Sequence, residues 1–194
     1  MYVRFMVALA ERSPEVVDGL TRLVEELASL PTANDDAERI ARITALDAIK
    51  AAAAAAQARE ISDFERSQLA EQRARGVPFR QQGRGIAEQI ALARKVSPAT
   101  GAGQLTFATA LVRQLPATKA LLAKGEISEW VAQIVARETA ALAAADRAAV
   151  DAALAPELAR MSPRQAGSPP VSNPSSAIRS RPSVAAARLG RIDA

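Results

Sequence analysis

Two residue types that carry much of protein chemistry are missing from this sequence: it has no histidine and no cysteine. That excludes a histidine general base, a disulfide, a thiolate nucleophile and any zinc site built on Cys or His. Acid–base work would fall to carboxylates, lysines, hydroxyls or Tyr2. The nearest carboxylate pairs, Glu25-Glu26 and Asp35-Asp36, are adjacent in sequence and do not share a helix face, so they read as solvated charge. Gly83-Arg84-Gly85 has the outline of a phosphate loop, but no Lys-Ser/Thr follows and no strand precedes it. No catalytic residue, metal ligand or cofactor site is expected, and the chain is not read as an enzyme.

Charge placement is more informative. Residues 76–125 carry seven basic side chains (Arg80, Arg84, Arg94, Lys95, Arg113, Lys119, Lys124) and one acidic, Glu88, a net charge of +6 in a chain whose total is +4. Residues 1–75, with ten basic and thirteen acidic groups, are net −3. A positive block of this kind is what a surface for nucleic-acid phosphates requires. Arg80, Arg84, Arg94, Lys95 and Arg113 are the candidate phosphate contacts, and Thr100 and Gln104 the candidates for a hydrogen bond to a base edge.

The elements that would position these residues are helices. Hydrophobic residues make up 49% of the chain but aromatics only 3%, and alanine supplies much of the apolar share, which points to an all-α protein held by close helix–helix contact. Ser13-Pro14-Glu15 opens a first helix, with Val16, Val17, Leu20, Leu23, Val24, Leu27 and Leu30 as its stripe, and Pro31 stops it. A long helix is expected over 35–75, with Ile40, Ile43, Leu46, Ile49 or Lys50, Ala53 and Ala56 as its seam and Gly76 past its end. Its alanine block, Ala51–Ala56, is read as the place where another helix approaches, the first helix being the natural partner; a coiled-coil dimer seam is the alternative. Residues 1–75 thus form a helical hairpin and 76–85 a flexible basic linker.

Short helices fill 86–161. Ile86, Ile90 and Ala93 mark the buried face of the first, and Ser97-Pro98 caps the second, which carries Leu105, Ala108, Leu111, Val112 and Leu115. Leu115-Pro116 separates the second from the third, and Lys124-Gly125 closes the third. Ser128 caps a fourth with Ile127, Trp130, Val131, Ile134, Val135 and Leu142 on its core side, and Val150, Leu154 and Leu158 mark a last one, from Asp146 to about Met161. The first two, joined at Lys95-Val96-Ser97, outline a helix-turn-helix. Residues 162–194, rich in Ser, Pro and Arg, read as a disordered tail. No apolar run nears the roughly 18 residues a membrane span needs, and MYVRFMVALAERS is too short for a secretory signal, so the expected location is cytoplasmic.

RGVPFRQQGRGIAEQIALARKVSPAT, TFATALVRQLPATKALLAKGEISEWVAQIVARETAAL and DRAAVDAALAPEL resemble the actinobacterial thirteen-E-twelve repeat proteins. Their N-terminal region is a domain of unknown function (domain 222), and full-length members end in an HNH nuclease motif. The resemblance runs from about 20 to 165 and implies the targeting half of such a protein. The nuclease does not carry over, since an HNH site needs histidines. The change of composition near Gly167 suggests a truncated or frameshifted paralogue. The helix order also resembles the helix-turn-helix core of ParB-type partition proteins, which would make the helix from Pro98 the recognition helix, presenting Ala99, Thr100, Ala102, Gly103 and Gln104. Three readings follow: a non-catalytic DNA-binding module, a helical interaction or scaffold domain capable of self-association, or a remnant without independent function.

Overall fold

The computed structural model describes residues 14–160. Ser13, the N-terminal apolar patch and the tail expected over 162–194 lie outside the described residues. Seven α-helices and one short 3₁₀ turn make up the described chain, which contains no strand. The helices are α1 (Pro14–Ala28), α2 (Asp36–Ala74), α3 (Ile86–Ala93), α4 (Pro98–Gln114), α5 (Pro116–Ala123), α6 (Glu129–Glu138) and α7 (Ala144–Arg160), and the 3₁₀ turn is Phe79–Gln81. None is long and apolar enough to cross a membrane. Contacts divide the chain into two units, Met1–Arg42 and Ile43–Ala194, so α2 runs through the boundary.

In the first unit, α1 forms where Pro14 and the acid Glu15 favour a helix start. None of its residues is buried: Val16, Val17, Leu20, Leu23 and Val24 are 39–65% exposed. Within this unit nothing among the described residues covers the stripe. The start of α2 is fixed by a reciprocal cap. Asp35 Oδ1 accepts from the Glu38 amide at 2.7 Å, and Glu38 Oε2 accepts from the Asn34 amide at 2.7 Å. Arg42 bridges Glu38 Oε1 and the Pro31 carbonyl. The Asn34 amide, and then the Arg42 guanidinium, hold the Glu38 carboxyl below the usual carboxylate range.

In the second unit the alanine block of α2 is buried on one side. The buried register, however, is Ala51, Ala55 and Ala58, followed by Ile61, Ser62, Gln68 and Gln72. Ala53 and Ala56, assigned to the seam from sequence, are exposed, as are Ile43 and Ile49. The close neighbour is the turn at Gly125, where a Cβ would lie 2.6 Å from Ala48 Cβ. Gly125 has φ +69°, so its missing side chain permits both the turn and the contact. The core is completed by Ile86 and Ile90 of α3, Ala108 and Leu111 of α4, Leu115, Leu121 and Leu122 around α5, Ile134 and Val135 of α6, and Val150, Leu154 and Leu158 of α7. On α3 it is Ala91, not Ala93, that is buried. Trp130, expected in the core, is 59% exposed. The buried side of α6 is Ala132, Ile134, Val135 and Ala136, and the indole lies off it.

A polar knot sits inside this apolar unit. Asp151, fully buried, accepts from the Ala117 and Thr118 amides at 2.7 and 3.0 Å and from the Thr118 hydroxyl. It thereby caps α5, whose own N-cap position is Leu115 and offers no side-chain acceptor. One turn earlier on α7, Arg147 donates to Thr139 Oγ1 at 3.0 Å, the Ala136 carbonyl at 2.6 Å and Gln114 Oε1. Burial pulls the Arg147 guanidinium below the ordinary arginine range, and the charge of Asp151 pulls it back up. Through these two side chains the first amides of α5 and a last-turn carbonyl of α6 find polar partners.

Candidate nucleic-acid interface

The candidate surface begins at residues 76–85, expected from sequence to be a flexible linker. The segment is instead pinned to α2. Gln72 is buried on that helix, and its Oε1 accepts from the Gly83 amide at 2.7 Å. Gln82 Nε2 donates to the Val77 carbonyl at 3.0 Å, and Arg73 Nε donates to Gln82 Oε1 at 3.2 Å. A buried amide side chain has to be satisfied, and here the turn's own backbone satisfies it. Phe79, 85% exposed, and Arg80 and Arg84, also exposed, are carried on this held turn.

α3 and α4 then meet across the short turn at Lys95, Val96 and Ser97. The Val96 amide donates to the Ala91 carbonyl at 2.9 Å and the Lys95 amide to the Leu92 carbonyl at 3.2 Å, which is the Schellman pattern of a helix end. Lys95 sits at the left-handed position of that motif with φ 55°, a place usually given to glycine. Ser97 caps α4 by accepting from the Thr100 amide at 3.2 Å, and Pro98 is its first helical residue. The helices touch at Gly101, where a Cβ would fall 2.6 Å from Ala91 Cβ and 2.7 Å from the Ala87 carbonyl oxygen. The first turn of α4, Pro98, Ala99, Thr100, Ala102 and Gly103, faces solvent beside the exposed Lys95.

The candidate residues divide by what already holds them. Arg113 is paired with Glu65 of α2 at 2.7 Å, and Glu65 also accepts from Thr109 at 3.2 Å. Thr100 shares a hydroxyl–hydroxyl hydrogen bond of 2.8 Å with Ser97. Gln104 is half-buried, and its Oε1 is enclosed without a hydrogen-bond partner among the described residues. Arg80, Arg84, Arg94 and Lys95 form no ion pair among the described residues, and neither do Lys119 and Lys124. On α2 most cations are paired, Arg73 excepted. Arg39 pairs with Asp36, Arg42 with Glu38, Lys50 with Asp47, Arg59 with Glu60 and Arg66 with Asp63, and Arg75 just beyond the helix reaches Glu71. Each such pair adds little stability, but it cancels local field. Among the described residues the cations of the basic block are thus left unpaired, Arg113 excepted. Sequence reasoning placed Trp130 wrongly and did not weigh Phe79. It also missed Arg147 and Asp151, although both lie at helical spacing with Val150, Leu154 and Leu158.

No group of three or more carboxylates able to hold a metal ion occurs among the described residues. No family model matches the chain, and no curated protein or solved structure matches it.

Proposed function

We propose that the chain is a non-catalytic module that binds double-stranded DNA through phosphate contacts made by the α3–α4 corner and the turn before it. The observation that carries this reading is the set of cations without carboxylate partners, Arg80, Arg84, Arg94 and Lys95, in a protein whose long helix α2 pairs Arg39, Arg42, Lys50 and Arg66 with a carboxylate within a turn. Two features support it. The corner has helix-turn-helix connectivity with the first turn of α4 exposed, and the sequence resembles the N-terminal region of the thirteen-E-twelve repeat proteins, whose long members end in a nuclease motif. With Thr100 engaged in the cap and Gln104 turned inward, binding is dominated by phosphate contact and has weak sequence preference. The same reading assigns the chain to the cytoplasm.

The test is filter binding of a duplex oligonucleotide across a salt series. Log affinity should fall linearly with log salt, with a slope of about −0.9 per phosphate neutralised. The double variant Arg94→Ala, Lys95→Gly should shallow that slope by about 2, one for each cation removed. Lys95→Gly is chosen because glycine suits the left-handed position, so weaker binding cannot be ascribed to a damaged turn. An unchanged slope, or no binding at low salt, overturns the reading. A second reading, a helical interaction module, is favoured by the uncovered stripe of α1.

A further inference from the structure

α1 is an amphipathic helix with no buried residue. A helix of 15 residues standing alone in water is marginal even for strong helix formers, and most helical stability in proteins comes from covering an apolar face. Its apolar residues are ordered. Val16, Leu20, Leu23 and Leu27 are spaced four, three and four, the alternating steps that keep residues on one face of a helix, and Leu30 follows just beyond its end. Val17 and Val24 each sit one position past a seam residue and widen the face to the three-in-seven breadth of a bundle helix.

We infer that the partner of this face is the same face of a second copy of the chain. Three observations select a second copy. The spacing calls for a helix with the same period, and α1 itself is such a helix with its seam uncovered, which suits a two-fold, self-complementary contact. Charge permits it. Asp18 and Glu25 fall opposite the seam, one flank carries Val17 and Val24, and the other carries Gly19 and Glu26, so an antiparallel pairing, which sets Glu26 toward the copy's Gly19, keeps the one flanking carboxylate away from its own copy. The area suffices. The stripe exposes Val16 at 64%, Val17 at 61%, Leu20 at 60%, Leu23 at 39%, Val24 at 65% and Leu30 at 50%. That is on the order of 500 Å2 of apolar surface per chain, and two copies reach the roughly 1,000 Å2 at which specific association begins. Gly19, with open space around its Cα, flanks the seam without obstructing it. An interface of this size gives a reversible dimer rather than an obligate one. The inference does not depend on DNA binding.

Sedimentation velocity of the full chain over a concentration series, without nucleic acid, tests it. A monomer–dimer equilibrium is expected, weakened at least a hundredfold by Leu20→Gln with Leu23→Gln. The sequence has no cysteine, so Leu23→Cys supplies one thiol per chain. At dimer-forming concentrations, oxidation should give a disulfide-linked dimer, while Arg22→Cys, off the seam, should link far less. Sedimentation as a monomer at every soluble concentration overturns the inference. So does a dimer that the double substitution leaves unchanged, or equal cross-linking at positions 22 and 23. A monomer whose α1 amides are protected from exchange would mean that other residues of the same chain cover the face, and would overturn it too.

Discussion

Gly101 and Gly103 lie two residues apart on α4, and the same substitution has opposite consequences at the two. A methyl group at 101 meets Ala91 Cβ at 2.6 Å and the Ala87 carbonyl oxygen at 2.7 Å, with backbone on one side and a rigid methyl on the other. Gly101→Ala should therefore force α3 and α4 apart and cost about 1–3 kcal/mol. At 103 nothing lies within 4 Å, so Gly103→Ala should raise stability by about 0.5–1 kcal/mol through helix propensity alone. Urea unfolding followed by circular dichroism checks both. Either glycine is visible in the sequence as a weak point in a helix. Which of them the packing needs is not visible, because that depends on where α3 crosses. Arg113 shows the same limit. It belongs to the basic block by position, yet its partner Glu65 is 48 residues away in sequence, and no local pattern announces such a pair.

Among the elements, α2 begins with a device that responds to pH. The Glu38 carboxylate accepts from the Asn34 amide and from Arg42, which favours its charged form in the folded chain. A depressed folded pKa adds stability above the unfolded value, about 4.3 for glutamate, and that contribution is lost as pH falls through the folded value. The first turn of α2 should therefore loosen in acid. The Asn34 and Glu38 backbone amides should shift together in an NMR titration below the usual carboxylate range, and Glu38→Gln should abolish that step. Helix boundaries were the most legible layer of this protein. Ser97, Pro98, Pro116, Gly125 and Ser128 each act locally through a cap, a missing amide or a left-handed turn, and α4, α5 and α6 start or stop where they stand. Helix faces were less legible. Apolar spacing on α2 put Ala53 and Ala56 in its seam, whereas Ala51, Ala55 and Ala58 are the buried ones. On a run of alanines, periodicity cannot choose a face.

For the whole molecule, the second unit is tied by Asp151 and Arg147, which together engage α4, α5, α6 and α7. Asp151→Ala should cost about 3–5 kcal/mol, since it leaves the Ala117 and Thr118 amides unsatisfied and removes the charge facing Arg147. Asp151→Asn, which keeps one acceptor, should cost less, and thermal unfolding ranks the two. The all-α class was legible from composition and the basic block from charge counting, because both are sums over residues. The uncovered state of α1 was not. Its stripe states that a partner is needed, not that the same chain supplies one. Trp130 carries a practical corollary. The only indole in the sequence stands at the surface, on the first turn of α6. Its native emission should already lie near that of a solvated indole, so unfolding will barely move the spectrum. A collisional quencher should reach it in the folded state. The intrinsic chromophore of this protein is thus a reporter of what docks beside α6, and a poor witness to whether the core has formed.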